Sequence, residues 1–126
     1  MKLRIKGSSL RLRVLRSEVD RLEEGLPVEE VLQLGTASLA KLVYSLCVRD
    51  QHDSMEVEYL PPRLCVYLSR EASNCWFREQ EVGVGANLEL GEGITLAVLV
   101  EKDFACLDAS DEENEDTFAN PLADHC

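Results

Sequence analysis

The sequence predicts an α+β fold, a mostly antiparallel sheet or open barrel with two helices. Runs of alternating polar and apolar residues have the period of two that half-buried strands require. Two stretches carry helix-capping residues followed by apolar residues at helical spacing. The hydrophobic rhythm also recurs 54 residues on, without a gap, across the 126-residue chain. These observations predict a tandem strand–helix–strand–strand duplication.

The proposed repeat aligns apolar residues along the whole length of both halves. Matching pairs include Leu3 with Val57, Ile5 with Tyr59, Leu22 with Trp76, Val28 with Val82, Leu34 with Leu88 and Leu42 with Leu96. In both halves the alternation changes parity at the same place, across residues 7–9 and across Pro61-Pro62. Glycine and proline are typical of a bulge or turn, so each half is expected to open with one long, interrupted strand.

In the first half, that strand covers residues 2–14 and a helix follows, with Ser17 as its N-cap and Asp20 completing a capping box. Gly25 is the expected helix stop, because glycine adopts the left-handed conformation found just after helices. Residues 28–34 and 39–48 are the next two predicted strands. The second half repeats this order over residues 56–68, 82–90 and 94–100.

The second helix is expected to run from an N-cap at Ser69 to about residue 80, with Trp76 in the core. The first strands of the two halves carry opposite charges at matching positions, Lys2 with Glu56 and Arg4 with Glu58. We therefore expect these two strands to pair antiparallel within the molecule, with Lys2 opposite Glu58 and Arg4 opposite Glu56.

One α+β domain is expected over residues 1–107, with internal repeats at about 1–50 and 55–104, followed by an acidic C-terminal tail over 108–126. From Asp103 onward the chain has eight acidic residues and no lysine or arginine. Such a run is typically solvated, and it predicts a possible contact with an unidentified protein partner. Phe118 and Leu122 are the apolar residues of the tail that docking would cover.

Charge and composition exclude several classes of protein. The net charge is −11, which disfavours a role in binding nucleic acid through its phosphates. No run of 18 apolar residues is present, so no membrane-spanning helix is expected. The five cysteines form no CxxC pair and the N-terminus has no secretion-signal pattern, so the expected location is the cytoplasm and the cysteines are expected to be reduced. No metal or cofactor is predicted.

No catalytic residue is predicted, because no nucleophile–base set stands out and the chain has only two histidines. The first 16 residues hold six bases and no acid, and Arg4, Lys6, Arg11 and Arg13 are the candidate ligand-binding residues. The favoured function is a small non-enzymatic binding or interaction domain. The alternative is a phosphate-type anion-binding protein or metal-dependent phosphohydrolase, in which Glu56 and Glu58 hold Mg²⁺. The same bases also fit a solvated strand face.

The opening residues 1–22, the late segment Glu101–Leu107 and the later pair Asn120-Pro121 resemble an uncharacterised bacterial family of small proteins. Its members begin M-K-[IL]-R-[IL]-K-G-x-S-[IL]-R-x-R and carry a late E-K-D-F-x-C-L stretch. The resemblance implies a bacterial, intracellular protein and transfers no activity to any residue. A fold-level similarity to the triphosphate tunnel enzymes is weaker, because their ExExK strand is replaced here by Lys2-Leu3-Arg4-Ile5-Lys6.

Overall fold

Within the residues that the structure describes, two helices and eight strands follow one another in an order that occurs twice. The computed structural model describes residues 1–78, 81–103 and 118. The first half comprises β1 (Lys2–Lys6), β2 (Ser9–Val14), α1 (Arg16–Glu23), β3 (Val28–Gln33) and β4 (Lys41–Arg49). The second half comprises β5 (Met55–Leu60), β6 (Arg63–Ser69), α2 (Arg70–Phe77), β7 (Gly83–Gly91) and β8 (Ile94–Lys102). This composition confirms the α+β class.

The strands form two four-stranded sheets that do not close into a barrel. Sheet A has the order β1-β2-β8-β7, and sheet B has the order β3-β4-β6-β5. Each sheet contains two antiparallel hairpins that meet along one parallel pair, β2 with β8 and β4 with β6. Every sheet therefore combines the first hairpin of one half with the second hairpin of the other half.

The register of the two parallel pairs is the same when positions are shifted by 54. Ser9 pairs with Ala97 in sheet A, and the matching residues Arg63 and Val43 pair in sheet B. The first hairpins also agree, because Leu3 pairs with Leu12 and Val57 with Val66. The two sheets are thus related by an approximate two-fold arrangement of the chain.

The gap-free alignment is wrong for one pair of strands, β3 and β7, which follow the two helices. In sheet B, Val28 pairs with Leu46. The residue that corresponds to Leu46 in the second half is Val100, and Val100 pairs with Val84. Val28 therefore matches Val84 rather than Val82, and Leu34 matches Leu90 by the same shift. The register of β7 is therefore shifted by two residues relative to that of β3, which a hydrophobic pattern alone does not reveal.

The parity change near residue 7 marks a hairpin, so the prediction of one long interrupted strand over residues 2–14 is wrong. Gly7 has a φ of 54°, a conformation open to glycine at little cost, and the chain reverses through residues 7–8. Residues 56–68 divide in the same way at Pro61-Pro62, between β5 and β6. Each half is consequently strand–strand–helix–strand–strand rather than strand–helix–strand–strand.

The two helices differ in how they begin. The predicted cap at Ser17 is wrong: α1 starts at Arg16, and the Glu18 carboxylate accepts the backbone N–H of Leu15 at 2.9 Å. The cap at Ser69 is confirmed, because its hydroxyl accepts the Ala72 N–H at 3.0 Å. Helix α2 ends at Phe77, earlier than expected.

The core lies between the inner faces of the two sheets and the helices. Leu22 of α1 and Trp76 of α2, which occupy matching positions, are 1% and 0% exposed. The Trp76 indole also donates a 3.2 Å hydrogen bond to the carbonyl of Val82. Both sheets supply further buried residues, which include Leu12, Val14, Leu46, Val66, Leu68, Val98 and Val100. Leu22 and Trp76 therefore anchor the two helices in one shared core.

The first strands of the two halves do not pair with each other, so the expected Lys2–Glu58 and Arg4–Glu56 pairs are wrong. Strand β1 is the edge of sheet A and β5 is the edge of sheet B. Their backbone partners are β2 and β6, which immediately follow them in sequence. A short hairpin closes with little loss of chain entropy, and this favours pairing with the next strand over a distant one.

Phe118, which lies within the predicted tail, packs against the core. Its backbone N–H donates to the carbonyl of Asp103 at 2.8 Å, and its ring lies 5.2 Å from the Arg16 guanidinium carbon and 5.4 Å from the Lys102 amine. The rest of the predicted tail, and with it Leu122, lies outside the described residues. Among the described helices, neither has the length and apolar character needed to cross a membrane.

Candidate functional site

Five basic side chains gather on the outer face of sheet A, and we call this set the basic face. Residues opposite each other in an antiparallel pair share a face, and Lys2 lies opposite Arg13 while Arg4 lies opposite Arg11. Lys6 lies opposite Ser9 on the same face. The alternation predicted from the sequence thus brings all four candidate bases together and adds Lys2.

Two acidic residues neutralise part of the basic face. Glu101 lies opposite Arg13 in the β2–β8 pair, and the Arg13 Nε donates to its Oε1 at 2.8 Å. Arg11 Nε lies 3.6 Å from the same oxygen. At the end of β8, the Lys2 amine is 3.0 Å from Oδ2 of Asp103, a residue only 4% exposed.

Arg4 and Lys6 are the unneutralised part of this face. Both side chains are exposed, and within the described residues neither forms an ion pair. They stand on β1, which is an edge of sheet A and has β2 as its one neighbouring strand among the described residues. The face therefore presents net positive charge at a free strand edge.

A shallow depression of about 500 Å³ lies beside the basic face. Ser9, Arg11, Gly85, Asn87 and Leu99 contribute to its lining. Gly85 lies opposite Leu99 and has no side chain, which leaves space above this part of the sheet. Of the four candidate bases, Arg11 is the one that lines this depression.

A cleft of about 700 Å³ runs between the edge strands β5 and β7, and we call it the acidic cleft. Its carboxylates come from Asp53, Glu56, Glu58 and Glu89. Arg49 donates to Glu56 at 2.8 Å and its guanidinium carbon lies 3.6 Å from the centre of the Tyr67 ring. The hydrogen bond to Glu56 raises the pKa of Arg49.

The sequence predicted only two of the four acidic residues of the acidic cleft. Glu56 and Glu58 stand out there because they alternate along one strand. Asp53 lies in the preceding loop and Glu89 in β7, and no sequence pattern links them to β5 before the sheets are known. Glu56 and Glu58 lie on sheet B and the basic face lies on sheet A, so the predicted bases and the predicted Mg²⁺ ligands do not share a sheet face.

A cavity of about 330 Å³ on the outer face of sheet B contains two thiols. Ser45 Oγ lies 3.1 Å from the Cys65 sulfur and donates to it, and hydrogen bonding to Cys65 is the main cause of the raised pKa of Tyr67. Burial is the main cause of the raised pKa of the Cys47 thiol. Both cysteines are half-buried and unbonded to each other. Across the described part of the chain, no three His, Cys, Asp or Glu side chains are placed to hold a metal ion.

The comparisons with known proteins identify a family. The chain belongs to DUF7009, a family of unknown function whose model matches residues 1–122. The comparison with curated proteins gave no match, and neither did the comparison with solved structures.

Proposed function

We propose that this protein is a non-enzymatic interaction module whose basic face binds an acidic segment of a protein partner. The observation that carries the proposal is the exposure of Arg4 and Lys6, which have no ion-pair partner among the described residues. A chain of net charge −11 that keeps such a face positive offers a complementary surface to acidic groups.

The shape of the face favours a protein segment over a small anion. Its bases are spread along two strands, and a five-residue strand is about 17 Å long. Small-molecule sites enclose most of their ligand, whereas the depression beside the basic face includes one of its five bases, Arg11. An extended acidic segment would meet several bases at once and could add its backbone to the free edge of β1.

Two alternatives have less support. A phosphohydrolase would need Glu56 and Glu58 near the phosphate-binding bases, but these glutamates lie on sheet B and the bases lie on sheet A. A nucleic acid carries phosphates along its whole length and would meet the acidic cleft as well as the basic face, whereas a short acidic segment contacts the basic face alone. The acidic run over residues 108–116 remains a separate proposed contact for a basic protein partner.

We also infer an origin by internal duplication, supported by the matching registers of the two halves. Residence in a bacterial cytoplasm is proposed as well. It is supported by three free cysteines, Cys47, Cys65 and Cys75, in the described part of the chain, since thiols stay reduced in that compartment.

Binding of a fluorescent, alternating Glu-Val octapeptide tests the proposal, with an alternating Lys-Val octapeptide as the probe control. The Glu-Val peptide should bind more weakly as salt rises, and Arg4→Glu/Lys6→Glu should weaken binding by about tenfold or more. The matched control is Arg21→Glu/Arg70→Glu, which makes the same change in net charge on the two helices and should bind normally. It also removes the exposed ion pair between Arg70 and Asp50, which is not part of the basic face.

Three results would count against the proposal. Equal losses in the two double variants would show an effect of net charge alone. Preferential binding of inorganic pyrophosphate would indicate a small-anion site, and preferential binding of a DNA oligonucleotide would indicate a nucleic-acid interface.

A further inference from the structure

We infer that the acidic segment recognised by the basic face is strand β5 of a second copy of this chain, an inference that rests on the proposed function and names its partner. Strand β1 presents Lys2, Arg4 and Lys6 outward, and β5 presents Glu56 and Glu58 outward. Both strands are sheet edges. Two copies therefore carry complementary edges that cannot meet inside one molecule.

Charge selects this pairing over the two symmetric ones. Joining β1 to β1 would oppose lysine and arginine side chains, and joining β5 to β5 would oppose glutamates, and like charges across a strand pair repel. Among pairings of these two strands, only β1 against β5 places opposite charges together. The other two sheet edges, β3 and β7, each present one acidic side chain on the outer face, Glu29 and Glu89, and Glu29 is already paired with Arg63. Free strand edges pair readily with other chains unless charge prevents it, so the charge pattern decides which contact forms.

The ion pairs already present fix the register. Lys2 is held by Asp103, so Arg4 and Lys6 are the bases available. Glu58 is exposed and has no ion pair within the described residues, which makes it the natural partner of Arg4. An antiparallel pairing of Arg4 with Glu58 places Lys6 opposite Glu56. Arg49 binds Oε2 of Glu56, so Oε1 is the oxygen that would receive Lys6.

The same register also matches the apolar faces. It sets Leu3 opposite Tyr59 and Ile5 opposite Val57 of the second copy, on the inner sides of the two sheets. Ile5 is 60% exposed and Tyr59 is 58% exposed, so the contact would cover two apolar side chains that the single chain leaves in water. The acidic cleft, which Glu56, Val57 and Glu58 line, provides an open surface beside β5 for the incoming strand.

This contact is head-to-tail, because it uses two different surfaces of each molecule. Every copy that donates β1 keeps its own β5 free, and every copy that accepts on β5 keeps its own β1 free. Such a contact produces rings or open chains rather than a symmetric dimer. Association should therefore increase with protein concentration and decrease with salt.

A charge exchange between the two strands tests the inference by sedimentation velocity on the full chain. Arg4→Glu/Lys6→Glu should weaken self-association by about tenfold or more, because it converts two opposite-charge pairs to like-charge pairs. Glu56→Lys/Glu58→Lys should do the same. An equimolar mixture of the two variants should associate again, because each acidic β1 then meets a basic β5.

Arg21→Glu/Arg70→Glu is the control and should associate like the native chain. Glu56→Lys also removes the ion pair with Arg49. If that double variant does not fold, the single changes Arg4→Glu and Glu58→Lys, alone and mixed, give the same test without touching that ion pair.

The outcomes separate this inference from the proposed function. A chain that binds the Glu-Val octapeptide yet stays monomeric at millimolar concentration overturns the inference and leaves the function standing. If the native chain does not bind the Glu-Val octapeptide, the proposed function is overturned. If the β1 double variant and the β5 double variant each associate as strongly as the native chain, the contact lies elsewhere and the inference is overturned.

Discussion

Arg4 and Glu58 occupy the same position in the two halves of the chain and carry opposite charges. Arg4 lies opposite Arg11 in the first hairpin, and Glu58 lies opposite Cys65 in the matching hairpin of the second half. The same backbone position thus contributes to a basic surface on sheet A and to an acidic one on sheet B. The fold repeats, but the surface chemistry does not.

Replacing Glu101 by glutamine should destabilise the protein and strengthen binding of acidic peptide. Glu101 accepts from Arg13 at 2.8 Å and lies 3.6 Å from Arg11, with its side chain 16% exposed. Loss of the carboxylate charge should cost about 1–2 kcal/mol in urea denaturation. The freed bases should raise affinity for the Glu-Val octapeptide severalfold. Glu89→Gln, on the exposed face of β7, is the control, and equal effects of both changes would contradict the assignment.

Truncating Trp76 to alanine should lower the free energy of unfolding by about 3–5 kcal/mol, and Leu22→Ala by about 2–5 kcal/mol. Both side chains are fully buried at matching places in the two helices, so each truncation leaves a cavity in the shared core. Chemical denaturation measures the loss. Cys75→Ala, an exposed neighbour on α2, should change stability little. A Trp76→Ala midpoint close to the native one would mean that the indole is peripheral.

Removing residues 108–126 should leave the circular-dichroism spectrum unchanged and lower stability by about 1–3 kcal/mol. The loss should come mainly from Phe118, which packs on the core between Arg16 and Lys102. Phe118→Ala in the full chain should therefore reproduce most of it. Complete unfolding of the shortened protein, or a fully stable Phe118→Ala variant, would disagree with this account.

The protein should lose stability as the solution becomes alkaline. The pKa values of Tyr44 and of the Cys47 thiol are raised mainly by burial, and that of Tyr67 mainly by its hydrogen bond to Cys65. The folded state therefore holds these protons more tightly than the unfolded state. Their contribution is fully present below the unfolded values, near 9 for cysteine and 10 for tyrosine, and is lost as pH rises through the folded values.

Urea denaturation at pH 7, 9 and 10.5 measures this loss of stability. A Tyr44→Phe/Cys47→Ser/Tyr67→Phe variant is the control, because it lacks the three titrating groups and should show a flatter dependence on pH. A native chain whose stability is constant up to pH 10.5 would contradict the prediction.

The sequence predicted side-chain faces better than strand partners. Alternation correctly placed Arg4 and Arg11 on one polar face and Leu3 and Leu12 on the other. It could not identify Ala97 as the neighbour of Ser9, because a period of two specifies which face is buried and says nothing about which distant strand lies alongside. The wrong prediction that β1 pairs with β5 within the molecule arose because the sequence does not specify strand partners.

The candidate sites show the same division. The basic face was predictable because its members alternate within 16 residues of sequence. The cavity around Cys65 was missed, since Ser45 and Tyr67 come from two strands joined only in the folded sheet. Ser45 and Tyr67 stand at positions that alternate with the buried residues Leu46 and Val66, but this pattern is also typical of a solvated strand face.

The exchange of hairpins between the two sheets has a consequence for how the protein is made. The central strand β2 of sheet A has β8 as one of its two neighbours, and β8 ends only at Lys102. A chain emerging from the ribosome can form its first hairpin early, but sheet A stays incomplete until nearly all of this sequence has been synthesised. Contacts so distant in sequence slow folding, and the exposed edges of the waiting hairpins are then open to other chains. We therefore expect sheet A to fold only after β8 has left the ribosome.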